Sequence, residues 1–259
     1  MKSLKVAVVG TGAMGGSMAR CWSGKEVEIG GESYRIELEI VGRNREKGER
    51  LAEEVGGKFT PLSHFKMDGK VVVLAVKPYG LEEVARQVEG EGRLLISVMA
   101  GKKLEELAQI PAGLYLRAMP NLGALYGASL TGVVGSGRAK EIGVPLLQLI
   151  GEVVELESED QLDIFTAIAG SGPAYLALVA EAMEDAGVYL GLTRERSAQI
   201  VKGLFKSFAV IKERSCIIKE KVMSPKGTTA EGILKLESGG VRGKIMEAVI
   251  DGYKKAKRI

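Results

Sequence analysis

The chain has 259 residues, 46% of them hydrophobic and 27% charged, with a net charge of +3 at pH 7. That composition excludes disorder as the default, and the length suits about two domains. Cys21 and Cys216, the only cysteines, form no CxxC and are too few for a disulfide framework. The one basic block, the terminal "YKKAKRI", falls where a last helix presents its negative dipole end, so nucleic acid is not an expected partner. No apolar run approaches the roughly 20 residues of a membrane span, and the N-terminal "VAVVG" is shorter than a signal segment. The expectation is a soluble, unprocessed, cytoplasmic protein with no membrane partner.

"KVAVVGTGAMGGSMARCW" begins with a short apolar run of buried-strand type. Gly10, Gly12 and Gly15 follow in GxGxxG spacing, and small and apolar residues at helical spacing come next. In such a strand, turn and helix, Gly10 permits the tight turn and Gly12 lets backbone approach a pyrophosphate. Gly15 allows close helix packing, and the helix N-terminus supplies free N–H groups. A lone GxGxxG is weak evidence, but here two further apolar runs, "ELEIVGRN" and "KVVVLAVKP", are separated by the charged helical pattern "REKGERLAEEVG". A dinucleotide-binding reading therefore stands above a merely structural glycine turn. Between the first helix and the strand ending "VGRN", "EVEIGGESYRIELEI" reads as an inserted hairpin turning at Gly30-Gly31.

The strand ending "VGRNR" lacks the acidic residue that holds an unphosphorylated ribose. It offers Arg43, Asn44 and Arg45, donors suited to a 2′-phosphate, unless these are only solvated loop charges. NADPH is the expected cofactor, with NADH as the second choice. "VLAVKP" sets Lys77 and Pro78 at a strand end, and "LLISVMAG" and "LYLRAMPN" repeat the pattern, so three strand ends converge on one edge. "EIGVPLLQLIGEVVELES" gives a helix and a short strand that close the first domain at residue 158.

From Glu159 to Ile259 the period is helical and no strand pattern intervenes. "GSGP" reads as a kink or junction, with Pro173 suited to a helix start. "YLALVAEAM" is apolar on more than one face, which points to dimerisation. "SPKGTTAEGI" interrupts these helices: Thr228 and Glu231 have the form of a capping box. Ser224-Pro225-Lys226-Gly227 precedes them as a tight loop able to aim backbone N–H groups at an anion, unless it is only a well-capped helix start.

The only histidine, His64, lies in the first domain, so a histidine general acid in the second is excluded, and no HxH or Cys/His cluster suggests a metal. Reduction of a C=N bond needs less help, because an imine can arrive protonated and electrophilic. "AVKP", "RAMPN", "AIAGSGPAY" and "SPKGTTAEGILKLESGGVR" resemble the signatures of the pyrroline-5-carboxylate reductase family over nearly the whole chain. The resemblance implies an N-terminal Rossmann-type doubly wound α/β sheet, residues 1–158. An all-helical C-terminal domain, residues 159–259, would form a homodimer, with decamers as further assembly.

By the same resemblance Gly10, Thr11, Gly12, Ala13, Met14, Gly15, Arg43, Asn44, Ser63, Val76, Lys77, Pro78, Ala100 and Gly101 would contact the cofactor. Glu159, Ser224, Gly227, Thr228 and Thr229 would bind substrate, with Thr229 catalytic at the ring nitrogen. Lys226, Leu122 and Lys221 depart from the family pattern. A reductase of a related cyclic imino acid and a non-catalytic dinucleotide sensor remain as alternatives. A 3-hydroxyacid dehydrogenase of the same two-domain plan is disfavoured, because no lysine follows "GSGP" before Lys202.

Overall fold

The computed structural model describes residues 2–258. β1 (Lys2–Val9) leads into α1 (Ala13–Trp22), and a hairpin follows, β2 (Glu26–Ile29) and β3 (Glu32–Gly42). Its turn residues Gly30 and Gly31 have φ of 60° and 79°, the positive pair that a type I′ turn requires. α2 (Arg45–Val55) starts on an Asn44 side-chain cap and stops at left-handed Gly56, before β4 (Lys58–Pro61). Next come β5 (Val71–Leu74), α3 (Leu81–Gln87), β6 (Leu94–Ser97) and α4 (Leu104–Leu107). β7 (Tyr115–Met119), β8 (Ser129–Gly135), α5 (Gly137–Gln148) and β9 (Gly151–Glu155) complete the sheet region.

The nine strands form one sheet in the order β2-β3-β1-β5-β6-β7-β8-β9, with β4 also paired to β3. The run from β3 to β7 is parallel, whereas β2 and β8 are antiparallel to β3 and β7. Alternate residues of the central strands face opposite sides. Val6, Val8, Val71 and Val73 enter one apolar cluster, and Ala7, Val9, Val72 and Leu74 the other. Burial on both faces explains why these strands read as continuous apolar runs. Because the chain leaves β1 toward β3 and returns to β5 on its other side, the order reverses between β1 and β5. A ligand crevice opens at such a point, at the strands' carboxyl ends.

Packing divides the chain into two units, one running to Ser171 and resuming at Gly252, the other Gly172–Asp251. This boundary falls later than the compositional one at 158/159 because α6 (Glu159–Phe165) buries Leu162 and Phe165 with Met119 and Val134 of the sheet. A π-helical turn, Thr166–Gly170, follows where a kink or junction is expected. The second unit is helical: α7 (Gly172–Tyr189), α8 (Arg194–Val210), α9 (Ser215–Val222), α10 (Thr228–Ser238) and most of α11 (Val241–Ala256). Pro173 is the second residue of α7, where its missing N–H costs no helical bond. The end of α11 belongs to the first unit, where Tyr253 Oη and Lys257 Nζ donate to Asp160 Oδ1 at 2.8 and 2.7 Å.

Within Gly172–Asp251 only Ser197 and Val201 are buried, while Leu178, Leu204, Phe208, Leu234 and Met246 stand exposed. The stretch Glu159–Tyr189 has a mean hydropathy of 1.4 over its most apolar window and is long enough to cross a membrane by length and composition alone. Only 17% of that window is buried, so its apolar side chains await a partner surface.

Candidate active site

A cleft of about 860 Å³ opens at the β1/β5 reversal. Its floor is the loop from β1 to α1, where Gly10 has φ of 119° and a Cβ there would stand 2.6 Å from the Ala75 carbonyl oxygen. Only glycine fits that approach. At Gly12 a Cβ would meet nothing, so the space above the loop is open to a ligand, with the N-terminus of α1 facing it.

Thr11, Gly12, Ala13, Met14, Arg43, Asn44, Val76, Lys77, Pro78 and Ala100, all expected at a cofactor, line this cleft with Gly10. Gly15, Ser63 and Gly101 do not. Gly15 is buried in α1 against the Gly10 carbonyl, which makes it a packing residue. Ser63 is exposed and its hydroxyl meets the neighbouring His64 Nδ1 at 3.1 Å, while Leu62 takes the place on the wall. Gly101 turns the chain with φ of 74° one residue beyond the lining.

The charged end of the cleft holds Arg43, Asn44 and Lys47 at the start of α2, with Glu83 in the first turn of α3. Arg43 Nη1 donates to Glu83 Oε2 at 2.7 Å. Arg45 turns instead to Glu49, four residues along its own helix, and does not line the cleft. Asn44 Oδ1 accepts from the Lys47 backbone N–H at 2.9 Å, so its oxygen serves the helix and its amide nitrogen stays available. Lys47 and Lys77 have no ion-pair partner among the described residues. Lys47, Tyr79 and Glu83 escaped the sequence reading. Lys47 carries a usable signal, one helical turn after the Asn44 cap at a strand end, whereas Glu83 reads as an ordinary first-turn acid.

This cradle fits a dinucleotide: open backbone donors sit at a helix N-terminus, and Arg43 and Lys47 stand just beyond the end of β3. Gly10 to Met14 would hold the pyrophosphate, Arg43, Asn44 and Lys47 the adenosine end, and Val76 to Pro78 with Ala100 the nicotinamide side.

Glu159 is engaged within the first unit. Its Oε1 accepts from Arg117 Nη1 at 2.8 Å and from the Leu104 N–H at 2.9 Å. Arg117, on β7, is 2% exposed, and its Nη2 has no hydrogen-bond partner, lying 3.8 Å from Asp163 Oδ1. Burial pushes the Asp163 carboxyl up, against the pull of Arg117. Asn121, the last residue of "RAMPN", donates to the Ala169 carbonyl at 3.2 Å and accepts from the Gly123 N–H. Arg117 and Asn121 of that motif thus fasten the sheet to α6 and the π turn.

In the second unit, Ser224 to Gly227 form a turn closed by the Gly227 N–H donating to the Ser224 carbonyl at 3.0 Å. Lys226 has φ of 60°, the one positive value among non-glycine residues described. α10 begins at Thr228, so Gly227 is its N-cap, and no side chain caps it. The expected Thr228–Glu231 capping box is therefore absent: Thr228 has already entered the helix, and its hydroxyl lies past the position that caps. The Ala230 and Glu231 N–H groups donate to the Gly227 carbonyl, which leaves those of Thr228 and Thr229 available to an anion, beside the Ser224, Thr228 and Thr229 hydroxyls.

Residues 159–259 match the family model described as pyrroline-5-carboxylate reductase dimerisation. Residues 5–101 match the one described as NADP oxidoreductase coenzyme F420-dependent. A pyrroline-5-carboxylate reductase of Helicobacter pylori is 36% identical over 86% of this chain and 90% of its own. One of Aquifex aeolicus is 32% identical over 99% and 98%. The crystal structure of the Streptococcus pyogenes enzyme superposes with a TM-score of 0.86 at 27% identity, covering 99% of both chains. The Plasmodium falciparum reductase with NADP bound gives 0.80 at 25%, covering 100% of this chain and 98% of its own. Cleft, helical second unit and matching relatives converge: this chain belongs to the pyrroline-5-carboxylate reductase family.

Proposed function

We propose that this chain reduces 1-pyrroline-5-carboxylate to L-proline, the last step of proline biosynthesis, at the expense of NADPH in preference to NADH. The observation that carries the reading is the pairing, in one chain, of a dinucleotide cradle at β1/β5 with a Ser-Pro-Lys-Gly-Thr-Thr turn opening a helix. A reduced nicotinamide supplies a hydride from C4 to the imine carbon when bound. The chain's own residues do the rest. Ser224, Gly227 and Thr228 hold the substrate carboxylate through hydroxyl and backbone donors at the start of α10. The Thr229 hydroxyl hydrogen-bonds the ring nitrogen and keeps its proton in place. Most of the rate comes from holding two reactants together, for which effective molarities supply about 7–11 kcal/mol.

NADPH preference rests on Arg43, Asn44 and Lys47, cationic or donor groups where an acidic residue would favour NADH. Glu159, set between Arg117 and the Leu104 N–H, acts by keeping the start of α4 beside the Ala100 loop. The helical module 159–259 dimerises, and dimers build decamers in the cytoplasm. The test is loss of NADPH absorbance with pyrroline-5-carboxylate, run beside NADH and a six-membered-ring analogue. Rapid oxidation with the five-membered ring is expected. A protein that binds NADPH yet oxidises it with neither ring would be a dinucleotide sensor instead.

A further inference from the structure

Resting on the dinucleotide reading above, we infer that Glu83 is a specificity-determining residue that restrains 2′-phosphate recognition by holding Arg43. Arg43, at the end of β3, reaches across the cleft's charged end to the first turn of α3, where Glu83 Oε2 accepts from its Nη1 at 2.7 Å. The other Glu83 oxygen accepts from Gln87 Nε2 at 3.4 Å, one turn along the same helix. Glu83 is therefore a fixed negative charge on the wall facing Arg43, Asn44 and Lys47.

A 2′-phosphate needs the same guanidinium, and a guanidinium prefers to meet a phosphate through two donors at once. Binding NADP therefore sets the phosphate in competition with Glu83 for the Arg43 guanidinium, whose orientation the Nη1 contact fixes, and it brings a second anion toward that carboxylate. An unphosphorylated ribose makes no such demand and leaves the pair intact. Glu83 thus narrows the gap between the two nucleotides without touching the reacting atoms, and Lys47, with no ion-pair partner among the described residues, remains the cation free to take phosphate at once. Both paired side chains are partly exposed, 68% for Arg43 and 35% for Glu83, so the exchange is screened and its effect modest.

The experiment is calorimetric binding of NADP⁺, NAD⁺ and adenosine 2′,5′-bisphosphate to the full chain and to E83Q, E83D, R43Q and the double variant R43Q/E83Q. E83Q should tighten NADP⁺ and the bisphosphate by roughly two- to fivefold, the range of exposed ion pairs, with NAD⁺ unchanged. E83D, whose shorter carboxylate reaches Arg43 less well, should shift in the same direction. In the R43Q background the gain should vanish, a coupling that a merely structural role for Glu83 would not produce. Unchanged or weaker NADP⁺ binding by E83Q, or a gain that persists without Arg43, overturns the inference while leaving the enzyme reading intact. A wild-type chain that binds neither nucleotide removes that reading, and the inference with it.

Discussion

Lys226 is a cation held at φ of 60° in the turn that opens α10. A residue with a Cβ is strained there by about 1–2 kcal/mol, and glycine is not. Lys226→Gly should therefore raise stability by about 1 kcal/mol in urea denaturation, since the added chain entropy offsets part of the relief. If the lysine instead serves substrate binding, the same variant raises KM for the imino acid while the protein grows more stable. Thr229 belongs to the same turn of helix and carries the proposed chemistry. Thr229→Ala should lower kcat by about 10²-fold or more, the usual worth of a positioned proton-handling group, with NADPH affinity unchanged by calorimetry. Unaltered turnover would remove Thr229 from the reaction. The identity of these loop residues was legible in the sequence. The backbone angle at Lys226 was not, because a lysine gives no sign of left-handed backbone.

Elements are tied together by polar groups that periodicity does not reveal. Glu39, on the apolar β3, is 5% exposed, and accepts from Lys70 Nζ at 2.7 Å and from the Thr60 hydroxyl at 2.7 Å. Burial works to raise its pKa, but these partners hold the carboxyl below its ordinary range. A depressed carboxyl adds stability above its unfolded pKa, and that stability is lost as pH falls through the folded value. Glu39→Gln should thus cost about 2 kcal/mol at pH 7, the order expected of a broken buried network. The gap from the wild type in denaturant midpoint should shrink on acidification. A gap constant with pH would mean the contribution is packing alone. The two-residue hairpin turn, the charged helix after Asn44 and the glycine turn after β1 were readable because each depends on neighbours in the chain. The Arg117–Glu159 and Arg43–Glu83 pairs join residues far apart in sequence, and no local pattern marks them.

At the scale of the molecule, the helical unit Gly172–Asp251 buries only two of its residues, yet its helices carry many large apolar side chains. An element this apolar and this poorly covered is stable only against a partner, and the matching dimerisation model says which kind. Self-association should therefore show in sedimentation as dimers or larger species at micromolar concentration, with a melting temperature that rises with protein concentration. A concentration-independent melt of a monomer would contradict it. The same exposure explains why Glu159–Tyr189 meets the length and hydropathy of a membrane helix: an interface that covers much of a helix leaves the same trace in composition.

The sequence by itself determined the strand, glycine turn and helix at the N-terminus, the helical character of everything after Glu159, and the Ser-Pro-Lys-Gly-Thr-Thr turn. All of these follow from short-range rules of periodicity, capping and glycine freedom. Only the tertiary structure decided that Ser63, Gly15 and Gly101 stay off the cleft while Lys47, Tyr79 and Glu83 line it. It also decided that Arg45 serves its own helix, and that Glu159 answers a buried arginine. These depend on where one strand end meets another across the sheet. That is set by the packing of both apolar faces together and by no single stretch of chain.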